Sequence, residues 1–209
     1  LFGIHPEVLE EQDISGISGL HFHALCEQNA DVLLRVLQSF ETRFGKFIDR
    51  LKWVNFGGGH HITRPDYDID LLCNTIIDFR RRHNNIPVYL EPGEAVVLEG
   101  GVFVTSVLDI IGKNPQVAVL DCSAETHMPD VLAMPYRPHI VGAGSPEEHP
   151  HLFRLGGISC LAGDVIGDYS FKKRLEPGDR LVLTDMALYS FIKNTTCNGV
   201  ELPSIYTCS

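Results

Sequence analysis

At residues 53–61 the chain reads Trp53-Val54-Asn55-Phe56-Gly57-Gly58-Gly59-His60-His61. The first four residues are typical of a short buried strand, which then stops at three glycines. Consecutive glycines leave backbone N–H groups uncovered, so a ligand can approach the chain closely, and such a loop can hold a phosphate. It can also be a plain flexible turn, because the motif alone is weakly specific. The flanking sequence decides between the two interpretations.

Strand and helix patterns alternate on both sides of the glycine loop. The alternating run Ile17–His23 predicts a strand that places His21 and His23 on one face, and residues at helical spacing follow it. The strand at 53–56 is also followed by a helix pattern, and residues 88–91 predict a third strand. This order predicts part of a (β/α)8 barrel, in which functional groups lie at the C-terminal ends of the strands.

The pattern changes after residue 95. Short β-type runs, separated by glycine, proline and charged turns, occupy residues 96–98, 101–108, 117–120, 153–158 and 181–183. The predicted fold class is therefore α/β plus all-β. Residues 1–95 are the C-terminal portion of the barrel, and residues 96–209 are a mainly antiparallel β domain. Whether the terminal segment of that domain returns to the barrel stays open.

Composition and charge exclude several classes of protein. Among 209 residues, 44% are hydrophobic and 21% are charged, which is ordinary for a soluble protein. The net charge of −10 argues against a nucleic-acid partner and suits a cationic small molecule. Six scattered cysteines without a C-x-x-C pair indicate reduced thiols in a cytoplasmic protein. No apolar run approaches the ~18 residues of a membrane span.

Several side chains near the predicted strand ends can carry chemistry. His21 and His23 can bind a metal, and a metal-dependent barrel hydrolase would add His60 and Asp121 to them. Alternatively, one imidazole can lie against a cofactor ring. Glu91 ends the third predicted strand, where a carboxylate beside a phosphate site can keep the ring nitrogen of pyridoxal phosphate protonated.

Seven segments then match one family in order: residues 20–27, 55–61, 90–95, 126–132, 134–138, 160–164, and Tyr189 with 195–200. These segments closely resemble the carboxynorspermidine (carboxyspermidine) decarboxylases. That group belongs to the alanine racemase-like, fold type III decarboxylases, which use pyridoxal 5′-phosphate. The resemblance covers nearly the whole chain.

The resemblance implies a role for each matching residue. His23 is similar to the histidine stacked on the pyridoxal ring, and Gly57–Gly59 are similar to the phosphate loop. Glu91 matches the partner of the ring nitrogen, and Tyr189 matches a tyrosine that reaches the phosphate. Cys160 matches the cysteine that protonates the substrate carbon after CO₂ leaves. In this family the cysteine comes from the second subunit of a homodimer.

One departure from related decarboxylases concerns the substrate. Ornithine and diaminopimelate decarboxylases have Glu-Pro-Gly-Arg, whereas Glu94 replaces the arginine here and adds an anion near the site. Because carboxylates pair with ammonium groups, we expect Glu94 and Asp130 to bind the amines of a polyamine substrate. Asp121 and Asp164 are weaker candidates.

A second departure concerns the lysine that carries the cofactor. None of the six lysines matches the family's position on an early barrel strand; they are Lys46, Lys52, Lys113, Lys172, Lys173 and Lys193. The chain also starts inside one apolar stretch and stops in a strand-like pattern at 205–209. We therefore expect a fragment whose lysine lies upstream of Leu1 and which is inactive alone.

The predicted activity is decarboxylation of carboxynorspermidine or carboxyspermidine to norspermidine or spermidine, in polyamine biosynthesis. This interpretation includes pyridoxal 5′-phosphate, a homodimer and no metal. An ornithine- or diaminopimelate-type decarboxylase is the nearest alternative, which Glu94 disfavours. A metal-dependent hydrolase and a regulator that keeps the fold without the site are the alternatives from other classes.

Overall fold

Strands and helices alternate in the first half of the computed structural model, which describes residues 3–207. The chain divides into a first unit, Leu1–Val96, and a second unit, Val97–Ser209. The elements that begin in the first unit are α1 (Pro6–Glu10), β1 (Gly19–His21), α2 (Ala30–Ile48), β2 (Trp53–Asn55), α3 (Ile69–Arg82), β3 (Val88–Tyr89) and α4 (Gly93–Val97). The predicted alternation is confirmed, although each strand is shorter than its sequence pattern suggested.

The sheet of the first unit consists of β1, β2 and β3 in that order, and all its pairs are parallel. Their shared direction brings the C-terminal ends of the three strands to one edge. Apolar faces of α2 and α3 cover the sheet, and the core includes Leu33, Leu37, Val54, Phe56 and Phe79. Each fully buried side chain of this size contributes about 1.5–3 kcal/mol.

Local capping fixes where the two long helices begin. Asn29 accepts a hydrogen bond from the backbone N–H of Ala30, 2.7 Å away, at the start of α2. Asp68 accepts one from Leu71 N, 2.8 Å away, at the start of α3. The side chain of Asn29 also donates to the carbonyl of Asp66, 2.9 Å away, so the two helix starts are tied together. Such caps typically contribute about 1 kcal/mol each.

A six-stranded sheet dominates the second unit. Its elements are β4 (Val102–Ile111), β5 (Gln116–Leu120), α5 (Ala124–His127), α6 (Asp130–Ala133), β6 (Ala143–Gly144), β7 (His151–Gly156), β8 (Val165–Phe171), β9 (Arg180–Thr184), α7 (Tyr189–Ile192) and a 3-10 turn (Cys197–Gly199). The strand order is β6-β8-β7-β5-β4-β9. The mainly β character agrees with the prediction.

Three details of the second half differ from the sequence prediction. The sheet is mixed rather than antiparallel, because β5 and β7 pair in parallel after a long crossover through residues 121–150. Residues 96 and 97 end α4 instead of forming a strand, since Val96 N donates to Pro92 O, 3.2 Å away. No strand begins at residues 205–207, and residues 208–209 lie outside the described range. No described helix is long and apolar enough to cross a membrane.

Candidate active site

Side chains from all three strand ends of the first unit meet at one edge of the sheet. Asn55, the last residue of β2, donates from Nδ2 to Glu91 Oε1, 2.8 Å away. His21 Nε2 at the end of β1 lies 3.2 Å from Glu91 Oε2, and His23 Nδ1 lies 3.9 Å from the same oxygen. The predicted His21, His23 and Glu91 are therefore together. Their side chains are about half exposed, so a ligand can reach them.

The glycine loop packs tightly against these strand ends. Its first and third glycines have positive φ angles of 74° and 79°. A Cβ added at Gly57, Gly58 or Gly59 would lie within 2.4 Å of a backbone oxygen. These contacts require glycine at all three positions. The loop is thus a fixed structural feature rather than a flexible turn.

The N–H groups of the loop have partners that a phosphate could replace. Gly57 N donates to Asn55 Oδ1, 2.9 Å away, and Gly58 N makes a long contact of 3.3 Å to His23 Nδ1. Both acceptors are neutral or weak compared with a phosphate oxygen, which forms shorter and stronger charge-assisted hydrogen bonds. The loop, His23 and Glu91 thereby fit an anionic aromatic cofactor.

A second cluster next to the loop joins His61 to two carboxylates. His61 is only 9% exposed, and its Nε2 lies 2.9 Å from Glu94 Oε2 without the alignment of a hydrogen bond. A carboxylate oxygen of Glu27 lies within 4.8 Å of both groups. Two carboxylates this close together favour a cation between them. Glu94 is a residue that the sequence predicts for this region, whereas His61 and Glu27 are not. The two histidines directly after the glycines were the signal from which His61 could have been predicted.

His60 is buried and does not join the exposed histidines. It is 1% exposed, and its Nδ1 lies 3.2 Å from the hydroxyl of Tyr67. Burial lowers the pKa of His60 below its ordinary value of 6.5; the nearby charge of His23 lowers it further, and a hydrogen bond to the Phe56 backbone opposes the shift. Its predicted membership of a metal site with His21, His23 and Asp121 has no support in these contacts.

We expect His60 to make the stability of the protein depend on pH. Its pKa is depressed in the folded state, so unfolding takes up a proton once the pH falls below about 6.5. Stability should therefore be complete above that pH and decrease as the pH falls toward the folded-state pKa. Replacing His60 by glutamine should make the melting temperature depend less steeply on pH below about pH 6.5. The control is His5→Gln, which removes an exposed histidine. If the melting temperature depends on pH equally steeply in His60→Gln and in His5→Gln, the prediction is wrong.

Asp121 and Asp164 of the second unit are held by hydrogen bonds from the protein itself. Asp121 Oδ1 accepts from Thr105 Oγ1 at 2.5 Å and from Ser106 N at 2.8 Å. Asp164 is 5% exposed and accepts from Ala124 N at 2.7 Å and from Ser159 N at 3.0 Å. These contacts leave less capacity for a substrate amine. They give Asp164 a structural role at the start of α5 and in the loop that follows β7.

Cys160 lies in that loop, between β7 and β8, with its side chain exposed. Asn198 donates from Nδ2 to Cys160 Sγ, 2.8 Å away, and the same nitrogen is 3.6 Å from Cys197 Sγ. The negative charge of Glu125 raises the pKa of Cys197. The sequence alone did not indicate this contact between Asn198 and Cys160.

Asp130 and Tyr189 are linked through one lysine. The ammonium group of Lys193 lies 2.7 Å from Asp130 Oδ1 and 4.4 Å from the centre of the Tyr189 ring. The Asp130 side chain is 14% exposed, whereas that of Lys193 is 46% exposed. The two predicted residues are thus close together in the second unit.

These features define a class of protein before any comparison. A rigid glycine loop, an exposed imidazole and a carboxylate at parallel strand ends suit a pyridoxal phosphate enzyme of α/β type, and the exposed cysteine lies in a separate sheet unit. Residues 72–187 match the family described as "Pyridoxal-dependent decarboxylase, C-terminal sheet domain". The chain belongs to this family.

Two curated decarboxylases are similar to this chain over nearly its whole length. The chain is 45% identical to a carboxynorspermidine/carboxyspermidine decarboxylase of Campylobacter jejuni, over 97% of this chain and 56% of the relative. It is 42% identical to a carboxyaminopropylagmatine decarboxylase of a Synechocystis species, over 97% of this chain and 53% of the relative. It therefore spans about half the length of these curated relatives.

A solved structure agrees with the sequence comparison. The crystal structure of carboxynorspermidine decarboxylase from Campylobacter jejuni, complexed with norspermidine, is similar with a TM-score of 0.88 and 46% identity. The match covers 97% of this chain and 58% of that chain.

Proposed function

We propose that the whole protein decarboxylates carboxynorspermidine or carboxyspermidine to norspermidine or spermidine, with pyridoxal 5′-phosphate as its cofactor. The observation that carries this proposal is the meeting of the glycine loop, His23 and Glu91 at three parallel strand ends. The identity of 45% to a decarboxylase of this substrate class supports it. The three strands of the first unit would then be part of an eight-stranded barrel.

Each residue at the strand ends has a role in holding the cofactor. When bound, the cofactor supplies an electron sink for the pair of electrons that the leaving carboxylate releases. The N–H groups of Gly57–Gly59 would bind its phosphate, and the His23 ring would lie against its face. Glu91 would hold a proton on the ring nitrogen, with Asn55 keeping the carboxylate in place.

The lysine that carries the cofactor is not found among the first unit's own lysines. Lys46 is on α2 and pairs with Glu10. Lys52 lies directly before β2, at the opposite end of that strand from the glycines. In this proposal the lysine comes from elsewhere in the whole protein.

Charge complementarity supports a polyamine substrate. The chain carries a net charge of −10, and the predicted amine ligands Glu94 and Asp130 are both only partly exposed acids. The proposal for the substrate amines is confined to these two, because hydrogen bonds within the protein hold Asp121 and Asp164. Cys160 would give a proton to the substrate carbon in the site of a second subunit, so the working protein would be a homodimer. The six scattered cysteines without a C-x-x-C pair support the proposal that it works in the cytoplasm.

Substrate comparison with the purified full-length protein tests this function. We expect visible absorbance from bound cofactor and CO₂ release from carboxynorspermidine or carboxyspermidine. Ornithine and diaminopimelate should react far more slowly, and carboxyaminopropylagmatine tests whether a guanidino end is preferred. Absence of cofactor absorbance together with stoichiometric zinc would instead favour a hydrolase at His21 and His23.

Glu94 provides a sharper test of substrate binding. Replacing it by glutamine should raise KM for the polyamine substrate about tenfold, because one charge-assisted hydrogen bond is lost. Cofactor affinity should change much less. Glu11→Gln, which alters an exposed carboxylate of the same unit, is the control. Unchanged KM with weaker cofactor binding would assign Glu94 to fixing His61 rather than to the substrate.

A further inference from the structure

The contact between Lys193, Asp130 and Tyr189 has the chemistry of amine recognition. A primary ammonium group on a flexible alkyl chain lies 2.7 Å from a carboxylate oxygen and 4.4 Å from the centre of an aromatic ring. A carboxylate and an aromatic face are the two groups that bind alkylammonium ions best in proteins. The geometry is therefore that of a binding site with the chain's own lysine in it.

Among the described residues of the second unit, Lys193 differs from the other lysines in forming an ion pair. In residues 97–207, Lys193 is the lysine that forms an ion pair, and its partner is 63 residues away along the chain. Asp130 lies at the first turn of α6 with a mostly buried side chain, so its position is set by the fold. Lys193 follows the short helix α7 and is nearly half exposed, so its end can swing into solvent.

We propose that Asp130 and the ring of Tyr189 form a site for one primary ammonium group of the polyamine substrate. Lys193 occupies this site in the free enzyme, and the substrate's ammonium group displaces it. This inference rests on the proposed function and adds to it one ammonium-binding site and the internal group that competes for that site.

Displacement by a like ion has a definite consequence for affinity. While Lys193 fills the site, the substrate's ammonium group cannot bind there. The apparent dissociation constant of the substrate is therefore its intrinsic dissociation constant divided by the fraction of molecules in which the site is open. Amines with a single charge gain too little to displace Lys193, whereas a polyamine makes further contacts elsewhere. Lys193 thereby lowers the affinity for every amine that binds this site by the same factor, and a polyamine still binds because its other contacts add affinity.

The variant Lys193→Met in the full-length holoenzyme tests the proposal. Methionine keeps the apolar length of the side chain and removes the ammonium group. We expect KM for carboxynorspermidine, and the dissociation constant of norspermidine as a probe, to fall about threefold to tenfold. The value of kcat should stay within about twofold, because the proposal gives Lys193 no part in the chemical step.

Three further variants test this local effect and separate it from effects of net charge and of folding. Lys172→Met removes a positive charge elsewhere in the second unit and should leave KM unchanged. Lys193→Arg keeps a cation in place and should stay close to wild type. Asp130→Asn should raise KM, because it removes the carboxylate that both ammonium groups need.

Two results would overturn the inference. An unchanged or raised KM in Lys193→Met, with normal turnover by the wild type, would show that the lysine merely positions Asp130 or is irrelevant. A wild-type protein that neither binds norspermidine nor decarboxylates its carboxylated form would defeat the proposed function as well. If Lys193→Met only destabilised the fold, its melting temperature would fall but its affinity for norspermidine would not rise. The two effects can therefore be told apart.

Discussion

Replacing Glu91 by glutamine in the full-length protein should lower kcat about 100-fold, the typical cost of losing one preorganised charged group in an active site. The glutamine can still accept the hydrogen bond from Asn55, so the side chain keeps its place. It cannot carry the negative charge that stabilises a proton on the cofactor's ring nitrogen. The expected loss is therefore electronic rather than structural.

The surroundings of Glu91 allow this distinction to be measured. Its side chain is 48% exposed, and its ion pair with His21 is of the surface kind, which contributes at most about 1 kcal/mol. The melting temperature of Glu91→Gln should thus stay near that of wild type, and cofactor should still bind. The exposed control Glu11→Gln should change neither quantity. A kcat within twofold of wild type would remove Glu91 from the mechanism.

Local sequence patterns were sufficient to predict which side chains come together at the strand ends. The predicted strands are parallel, so their C-terminal ends must lie at one edge of the sheet, where the glycines at 57–59 also lie. His21, His23 and Glu91 therefore converge there, as the positions of the strands predict. The same patterns could not show that the loop is wedged against neighbouring backbone oxygens. That reason for glycine exists only after the strands have paired.

Contacts between distant residues explain what the sequence could not show. The parallel pairing of β5 and β7 depends on the path of residues 121–150 between them. That segment has no long amphipathic helix from which a parallel crossover could have been predicted. Likewise, nothing local connects Lys193 to Asp130, or His61 to Glu94. Charged side chains on turns look solvated in a sequence, and only the fold decides which of them meet.

Loss of the Cys160 thiol should have an effect as large as the loss of Glu91. Replacing it by alanine removes the proposed proton donor and should lower kcat about 100-fold or more, the usual contribution of a positioned acid. KM for the polyamine and the cofactor absorbance should remain near wild type, because neither depends on the proton. Cys160→Ser keeps a hydroxyl donor and should retain more activity. An equal loss in Cys197→Ala would instead assign the effect to packing around Asn198.

Mixing two inactive variants tests whether Cys160 acts in the site of its own subunit or its partner's. Glu91→Gln and Cys160→Ala homodimers should both be nearly inactive. If the cysteine is donated across the dimer, a hybrid has one site with both defects and one intact site. Random exchange of subunits in equal amounts should then restore about a quarter of wild-type activity, because half of the dimers are hybrids with one working site. If Cys160 serves its own subunit, each site in a hybrid carries one defect, and mixing restores nothing.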